Sequence, residues 1–300
     1  MQTNVLILGS EGFIGSHLVA KLLNNEYSIV GCDIIKSTKK SYLYYNLSIL
    51  SDGFDSLFTN NKFDFCINAS GSGSVSFSID NPIDDFKSNT LTVAKVLDTI
   101  RTHQPSCKFL HISSAAVYGN PTCLPIIENF DAQPLSPYGY HKLMSELLCK
   151  EYFSIFKVSS VIIRPFSVYG NGLRKQLLWD ICEKLSKSEV ISLFGTGNET
   201  RDFIHIDDLT ECILLIIENS LFENEIYNVA TGNEISIRQI KSIFESSFQP
   251  KKFIKFSGQE KKGDPINWRA DITKLEKLGF KPTVNLQDGI TNYINWYLNL

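Results

Sequence analysis

Apolar residues fall in short runs separated by stretches of helical periodicity. Residues 5–8 (Val-Leu-Ile-Leu) form a short apolar run, the pattern of a strand buried on both faces. Residues 16–23 follow with apolar positions at helical spacing. The same alternation continues along the chain. Strands are expected at 28–32, 65–68, 108–112 and 158–164, and helices at 90–100 and 138–156. This order implies an α/β fold, a doubly wound parallel sheet with helices on both faces. Ligands of such sheets bind beyond the carboxyl ends of the strands, where Gly9, Asp33, Asn68, Ser113, Ser114 and Arg164 fall. After about residue 166 the alternation weakens to a helix at 173–186, a short strand at 190–194 and a helix at 207–218. The expected division is a first domain of residues 1–166, rejoined by 203–228, and a smaller interleaved carboxyl-terminal lobe of 167–202 and 229–300.

Composition narrows the class. The 300 residues suffice for a sizeable core, with 43% hydrophobic and 20% charged residues, as in ordinary globular proteins. A formal charge of −3 without a basic tract argues against nucleic acid as a partner. No apolar run approaches the roughly 20 residues of a membrane span. The amino terminus enters a strand directly and the seven cysteines are scattered, so reduced thiols, no metal site and a cytoplasmic location are expected.

Two motifs carry chemistry. The first is Gly9-Ser10-Glu11-Gly12-Phe13-Ile14-Gly15, between a strand and a helix. Gly9 permits the tight turn, Gly12 lets backbone approach a pyrophosphate, and Gly15 lets the helix pack on the strand. The helix start offers free N–H groups to phosphate. Asp33 ends the second strand, 18 residues after Gly15, near the distance for a carboxylate on an adenosine ribose. A Rossmann-like dinucleotide site is therefore expected, with NAD(H) slightly preferred over NADP(H), because Asp33 would repel a 2′-phosphate. The second motif is Tyr138 and Lys142 in Ser-Pro-Tyr-Gly-Tyr-His-Lys. Four residues apart, both lie on one helix face. An ammonium beside a phenol lowers the phenol's pKa, which suits a general acid/base acting on an alcohol or ketone.

Together these motifs, the run at 78–82, Asn89, residues 111–119, Arg164 to Gly170, Gly195-Thr196-Gly197, Arg201 to Asp208 and Ala270-Asp271 resemble the extended short-chain dehydrogenase/reductases. More narrowly, they resemble the NAD-dependent epimerase/dehydratase group that acts on nucleotide sugars. The resemblance implies that Ser114 completes the catalytic set by binding the reacting oxygen, and that Lys142 also binds the nicotinamide ribose. It implies cofactor contacts by the glycine loop with Phe13 and Ile14, by Asn68 and by Asn89. It implies diphosphate contacts by Arg201, with Lys261, Lys262 and Arg269 as further candidates, and substrate contacts by Ser74 and Ser167. It also implies a homodimer formed through the helices at 90–100 and 138–156.

Departures from the family pattern guide the choice of reaction. Dehydratases carry an acidic pair after the Ser/Thr, whereas here Ala115 and Ala116 follow Ser114 and cannot transfer protons. Many 4-epimerases have Asn where Ser167 stands. The compact chain favours an NAD(P)H-dependent reductase of a 4-keto-6-deoxy nucleotide sugar. The alternative is an NAD-dependent nucleotide-sugar C4 epimerase. A non-catalytic nucleotide-sugar or NAD(H)-binding protein is the reading of another class.

Overall fold

The computed structural model describes residues 2–37, 41–248, 250–259 and 265–300. The chain begins with β1 (Asn4–Leu8), α1 (Phe13–Asn24), β2 (Ser28–Asp33), β3 (Leu43–Asn46), α2 (Ser56–Asn60) and β4 (Phe65–Asn68). Val5, Leu6, Ile7 and Leu8 are all fully buried, as a central parallel strand requires. Each such side chain contributes about 1.5–3 kcal/mol by leaving water. The helix after β1 starts at Phe13, three residues earlier than the periodicity suggests. Gly15 therefore lies inside it.

Next come α3 (Val75–Asp80), α4 (Pro82–Phe86), a π-helical turn (Lys87–Leu91), α5 (Thr92–His103), β5 (Lys108–Ile112), α6 (Pro137–Phe156) and β6 (Ser160–Pro165). The helix expected at 90–100 thus starts much earlier, with the π turn in its middle. Buried polar residues, Asp85, Asn89, Thr90 and Thr92, interrupt its apolar pattern. Ser136 caps α6 by accepting from the Gly139 N–H at 3.2 Å, and Pro137 occupies the first turn.

The rest comprises β7 (Ser167–Tyr169), α7 (Gln176–Lys187), β8 (Val190–Leu193), β9 (Thr200–Arg201), β10 (Phe203–His205), α8 (Ile206–Asn219) and β11 (Glu223–Val229). Then follow β12 (Ile235–Ser236), α9 (Ile237–Ser247), β13 (Phe253–Phe256), α10 (Thr273–Glu276) and α11 (Leu286–Leu298). Seven parallel strands form the central sheet in the order β11-β6-β5-β4-β1-β2-β3. The fold is the α/β, Rossmann-like one read from the sequence. Strand order reverses between β1 and β4, so the ends of these two strands open the crevice where such folds bind ligands.

One apolar core lies on the face covered by α1 and α8, and a second on the face covered by α5 and α6. A third core joins Leu178, Ile181 and Leu185 of α7 to Ile240 and Phe244 of α9 and Tyr293 and Ile294 of α11. Around it lie three two-stranded pairs, β10 with β7, β12 with β9 and β13 with β8. Trp268 connects this region to the sheet. Its ring packs edge-on against Phe166 at 5.6 Å, and its Nε1 donates to the Gly119 carbonyl at 3.0 Å.

Candidate active site

The glycine loop is built for close approach. Gly9 has φ +77°, and its N–H donates to the Cys32 carbonyl at 2.8 Å, tying the ends of β1 and β2. A Cβ on Gly15 would lie 2.0 Å from the Gly9 carbonyl oxygen, so no other residue fits without moving the helix. Gly12 is the N-cap of α1 and brings no capping side chain, which leaves the helix's first N–H groups to a ligand. Phe13 and Ile14 open the helix beneath them. Asp33 ends β2. Its Oδ2 accepts from the Glu11 N–H at 2.9 Å and its Oδ1 from the Ile35 N–H at 3.1 Å. The carboxylate is thereby oriented by the loop itself, and each oxygen retains lone pairs for a further donor. Asn68 ends β4 and is buried, its Oδ1 accepting from the Ser70 N–H at 3.2 Å. These residues fit the adenosine and pyrophosphate of a dinucleotide.

Ser114, Tyr138 and Lys142 converge at the same sheet edge. Ser114 follows β5 with its hydroxyl beside Tyr138, where it favours the phenolate, and its Oγ accepts from the Ala116 N–H at 3.1 Å. The Lys142 ammonium lies 6.0 Å from the Tyr138 ring centre and donates to the Ile112 carbonyl at 2.9 Å. The electrostatics differ from the sequence expectation. Burial raises the pKa of Tyr138; its Ser114 hydrogen bond opposes this and Asp85 adds to it. Desolvation of the phenolate outweighs the help of the Ser114 hydroxyl. Burial also pulls Lys142 down to about 8, against the carboxylates of Asp85 and Glu146, while Lys175 pushes the same way as burial. Lys142 therefore changes charge just above neutral pH.

Two buried carboxylates beside this group went unread in the sequence. Glu146 continues the face of Tyr138 and Lys142 by one more turn of α6, which was a usable signal. It accepts from Ser113 Oγ at 2.5 Å and pairs with Arg164 through Nε at 3.0 Å and Nη2 at 2.6 Å. Arg164 also donates to Tyr118 Oη at 2.8 Å, and Tyr118 to Asn228 at 2.6 Å. The chain of bonds fixes α6 on the sheet, and its paired charges offset their own desolvation. Asp85, fully buried, accepts from Asn89 Nδ2 at 3.0 Å and pairs with His141 Nδ1 at 2.6 Å. Asn89, buried in the π turn, has its amide fixed by that bond. Its Oδ1 faces Gly71 and has no hydrogen-bond partner. His111 is buried on β5 with neither ring nitrogen bonded, and burial holds its pKa well below the usual range.

The residues expected to meet the substrate are more dispersed. Ser74 caps α3 by accepting from the Phe77 N–H at 3.2 Å. Ser167 opens β7, its N–H donating to the Asp202 carbonyl at 2.9 Å. Arg201 lies over the Trp268 ring at 5.8 Å, with Nη1 donating to the carbonyls of Thr200 at 2.8 Å and Ile266 at 3.1 Å. Arg269 Nε is a buried donor without a partner. Lys261 and Lys262 lie outside the described residues. Lys175, which no periodicity singled out, reaches the catalytic side. Its ammonium would lie 3.1 Å from a Cβ on Gly73, and it lowers the pKa of Lys142. Gln176, directly after it, holds a left-handed φ of +68°.

The fold and the placement of Tyr138 and Lys142 at the carboxyl edge of the sheet define the extended short-chain dehydrogenase/reductase class. The sequence profile of the NAD dependent epimerase/dehydratase family matches residues 5–230, and the chain belongs to that family. It is 30% identical to a protein of Methanocaldococcus jannaschii named putative UDP-glucose 4-epimerase, over 98% of both chains. Its structure is similar to UDP-glucuronic acid 4-epimerase from Bacillus cereus, solved with UDP-glucuronic acid and NAD, at TM-score 0.90, 27% identity and 99% coverage of each chain. It is also similar to UDP-glucose 4-epimerase from Thermotoga maritima, solved with UDP-glucose, at TM-score 0.88, 25% identity and 99% coverage of each chain. Among the described residues no helix is long and apolar enough to cross a membrane, and no three His, Cys, Asp or Glu side chains gather as a metal site.

Proposed function

We propose that this chain is an NAD-dependent C4 epimerase of UDP-linked hexoses. The observation that carries the reading is the Lys142 ammonium 6.0 Å from the Tyr138 ring with Ser114 beside it, at the sheet edge that also bears the glycine loop. The relatives described above are named as C4 epimerases, which favours this reaction over the 4-keto reductase expected from chain length. The glycine loop and Asp33 hold the adenosine diphosphate half of NAD, with Asn68, Asn89 and Lys142 towards the nicotinamide half. When bound, NAD would supply the hydride acceptor and, once reduced, the hydride donor for C4. As the phenolate, Tyr138 would take the proton of the C4 hydroxyl and give it back when the hydride returns, so no net reductant is consumed. Ser114 holds the same oxygen. Arg201 and Arg269 hold the diphosphate, and Ser74 and Ser167 supply hydroxyls to the sugar end.

A carboxylated hexose is the second reading, favoured by Lys175. Its ammonium beside Gly73 offers a charge-assisted contact to a sugar carboxylate. Incubation with NAD and, in turn, UDP-glucose, UDP-N-acetylglucosamine and UDP-glucuronic acid, with products resolved by NMR, tests both. Conversion to C4 epimers without added reductant is the expected result. Tyr138→Phe is expected to lower kcat by roughly 10²–10⁴. Stoichiometric oxidation of NADH by a 4-keto-6-deoxy nucleotide sugar, with no epimer formed from any of the three, would restore the reductase.

We also infer a homodimer. Ile83, Leu91, Tyr140, Met144 and Leu147 are exposed on α4, the π turn and α6, which pack side by side. Two copies pairing these faces would bury them. Light scattering is expected to give twice the 33.9 kDa chain mass, and the single mass would refute it.

A further inference from the structure

The structure assigns to Asp85 and His141 a positioning role. We propose that they form a buried acid–imidazole pair that locks the catalytic turn of α6 to α4 and the π turn after it, and sets the charge under which Tyr138 and Lys142 exchange protons. The inference rests on the reading of Tyr138 and Lys142 above.

Three cross-helix contacts converge here. Asp85 Oδ2 meets His141 Nδ1 at 2.6 Å. Thr90 Oγ1 donates to the His141 carbonyl at 3.0 Å. Ser145 Oγ donates to the Asn89 carbonyl at 2.7 Å. A π turn widens the helix and frees carbonyls from regular bonding. Here the Asn89 carbonyl is used by the partner helix. His141 lies between Tyr138 and Lys142 in sequence, so holding its ring and its carbonyl fixes the turn that carries both.

The pair is also electrostatic. A fully buried carboxylate is costly unless paired. Asp85 has Asn89 and His141 as hydrogen-bond partners, and its charge reaches Tyr138 and Lys142, raising the pKa of both. Lys142 is faced by Asp85 from α4, Glu146 from its own helix, His111 from β5 and Lys175 from the segment before α7. Asp85 and Glu146 are the carboxylates that support the ammonium against burial. Removing the Asp85 charge lowers the pKa of the ammonium and of the phenol together. Both limbs of the pH–rate profile then move in one direction, towards acid.

The test is Asp85→Asn, which keeps the shape and leaves one acceptor and one donor for Asn89 and His141. The profile of kcat, measured with whichever UDP-sugar the wild type turns over, is expected to shift to lower pH by about one unit. Rate at the new optimum should remain within roughly tenfold. A superimposable profile in a folded Asp85→Asn protein would overturn the proposal, leaving the pair a packing device. Should Asp85→Asn fail to fold, His141→Gln serves, because its amide can still donate to Asp85. Its profile is expected to stay in place, because Asp85 keeps both its charge and a donor, and an acid shift would overturn the proposal. Failure of the underlying reading looks different, because the wild type itself would then give no epimer at any pH.

Discussion

On the glycine-loop side of the site the recognising groups are backbone. Gly9, Gly12 and Gly15 contribute by what they lack, and Asp33 is oriented by the Glu11 N–H. The groups proposed to meet the substrate, Arg201, Arg269 and Lys175, are instead long side chains from three separate segments. A backbone cradle is set by the strand and helix that flank it and takes one shape. Long cationic side chains are set by tertiary packing, as Arg201 is by Trp268 against Phe166, and can reorient towards different anions. The first set therefore suits a constant cofactor and the second a substrate that varies between relatives.

This contrast can be broken by changing one set at a time. Gly15→Ala should have the largest effect. The new methyl group would sit 2.0 Å from the Gly9 carbonyl, and the helix must retreat from the loop. NAD affinity is expected to fall on the order of 10²-fold or more, as overpacking of this kind costs about 1–3 kcal/mol and here meets backbone. UDP binding by calorimetry should survive, and loss of both together would mean that the two sets are not independent.

Arg201→Ala is the reciprocal change. It removes a charge-assisted contact worth about 1.5–3 kcal/mol, so KM for the UDP-sugar should rise about 10- to 100-fold with NAD binding intact. An unchanged KM would move the diphosphate to Arg269. The smallest effect is expected from Asp33→Asn. Removing one partly exposed charge should narrow the preference for NAD over NADP by about tenfold or less. Kinetic ratios for the two cofactors check this. A wild type that already prefers NADP would discard the role given to Asp33.

What could be read from the chain follows the same division. The glycine loop, Asp33 and the Tyr138–Lys142 pair are local patterns. Each lies within one strand–turn–helix unit or on one helix face, and the structure places them at one sheet edge. Ser114 needed the family resemblance, because a serine after a strand has no spacing of its own. Lys175, Asp85 and His141 left no trace. Asp85 and His141 are 56 residues apart and meet only because α4 packs on α6. The sign of the Tyr138 shift was also out of reach, since it depends on how far burial outweighs charge. β3 and most elements after residue 230 are short and amphipathic over too few residues to show a period.

The π turn between α4 and α5 carries a consequence for inheritance. A π turn holds one residue more than a regular helix needs over the same span. In gene terms it is a tolerated one-codon insertion, and the matching deletion anywhere in residues 87–91 would leave a well-formed helix. Because the extra residue is absorbed within the one wide turn, the segments on either side would keep their faces. Asp85 and Thr92 to His103 would stay in place, while the Asn89 carbonyl would return to regular helical bonding and leave Ser145. The locus therefore offers a route by which a descendant could retain the whole fold and loosen the hold on α6 in a single step.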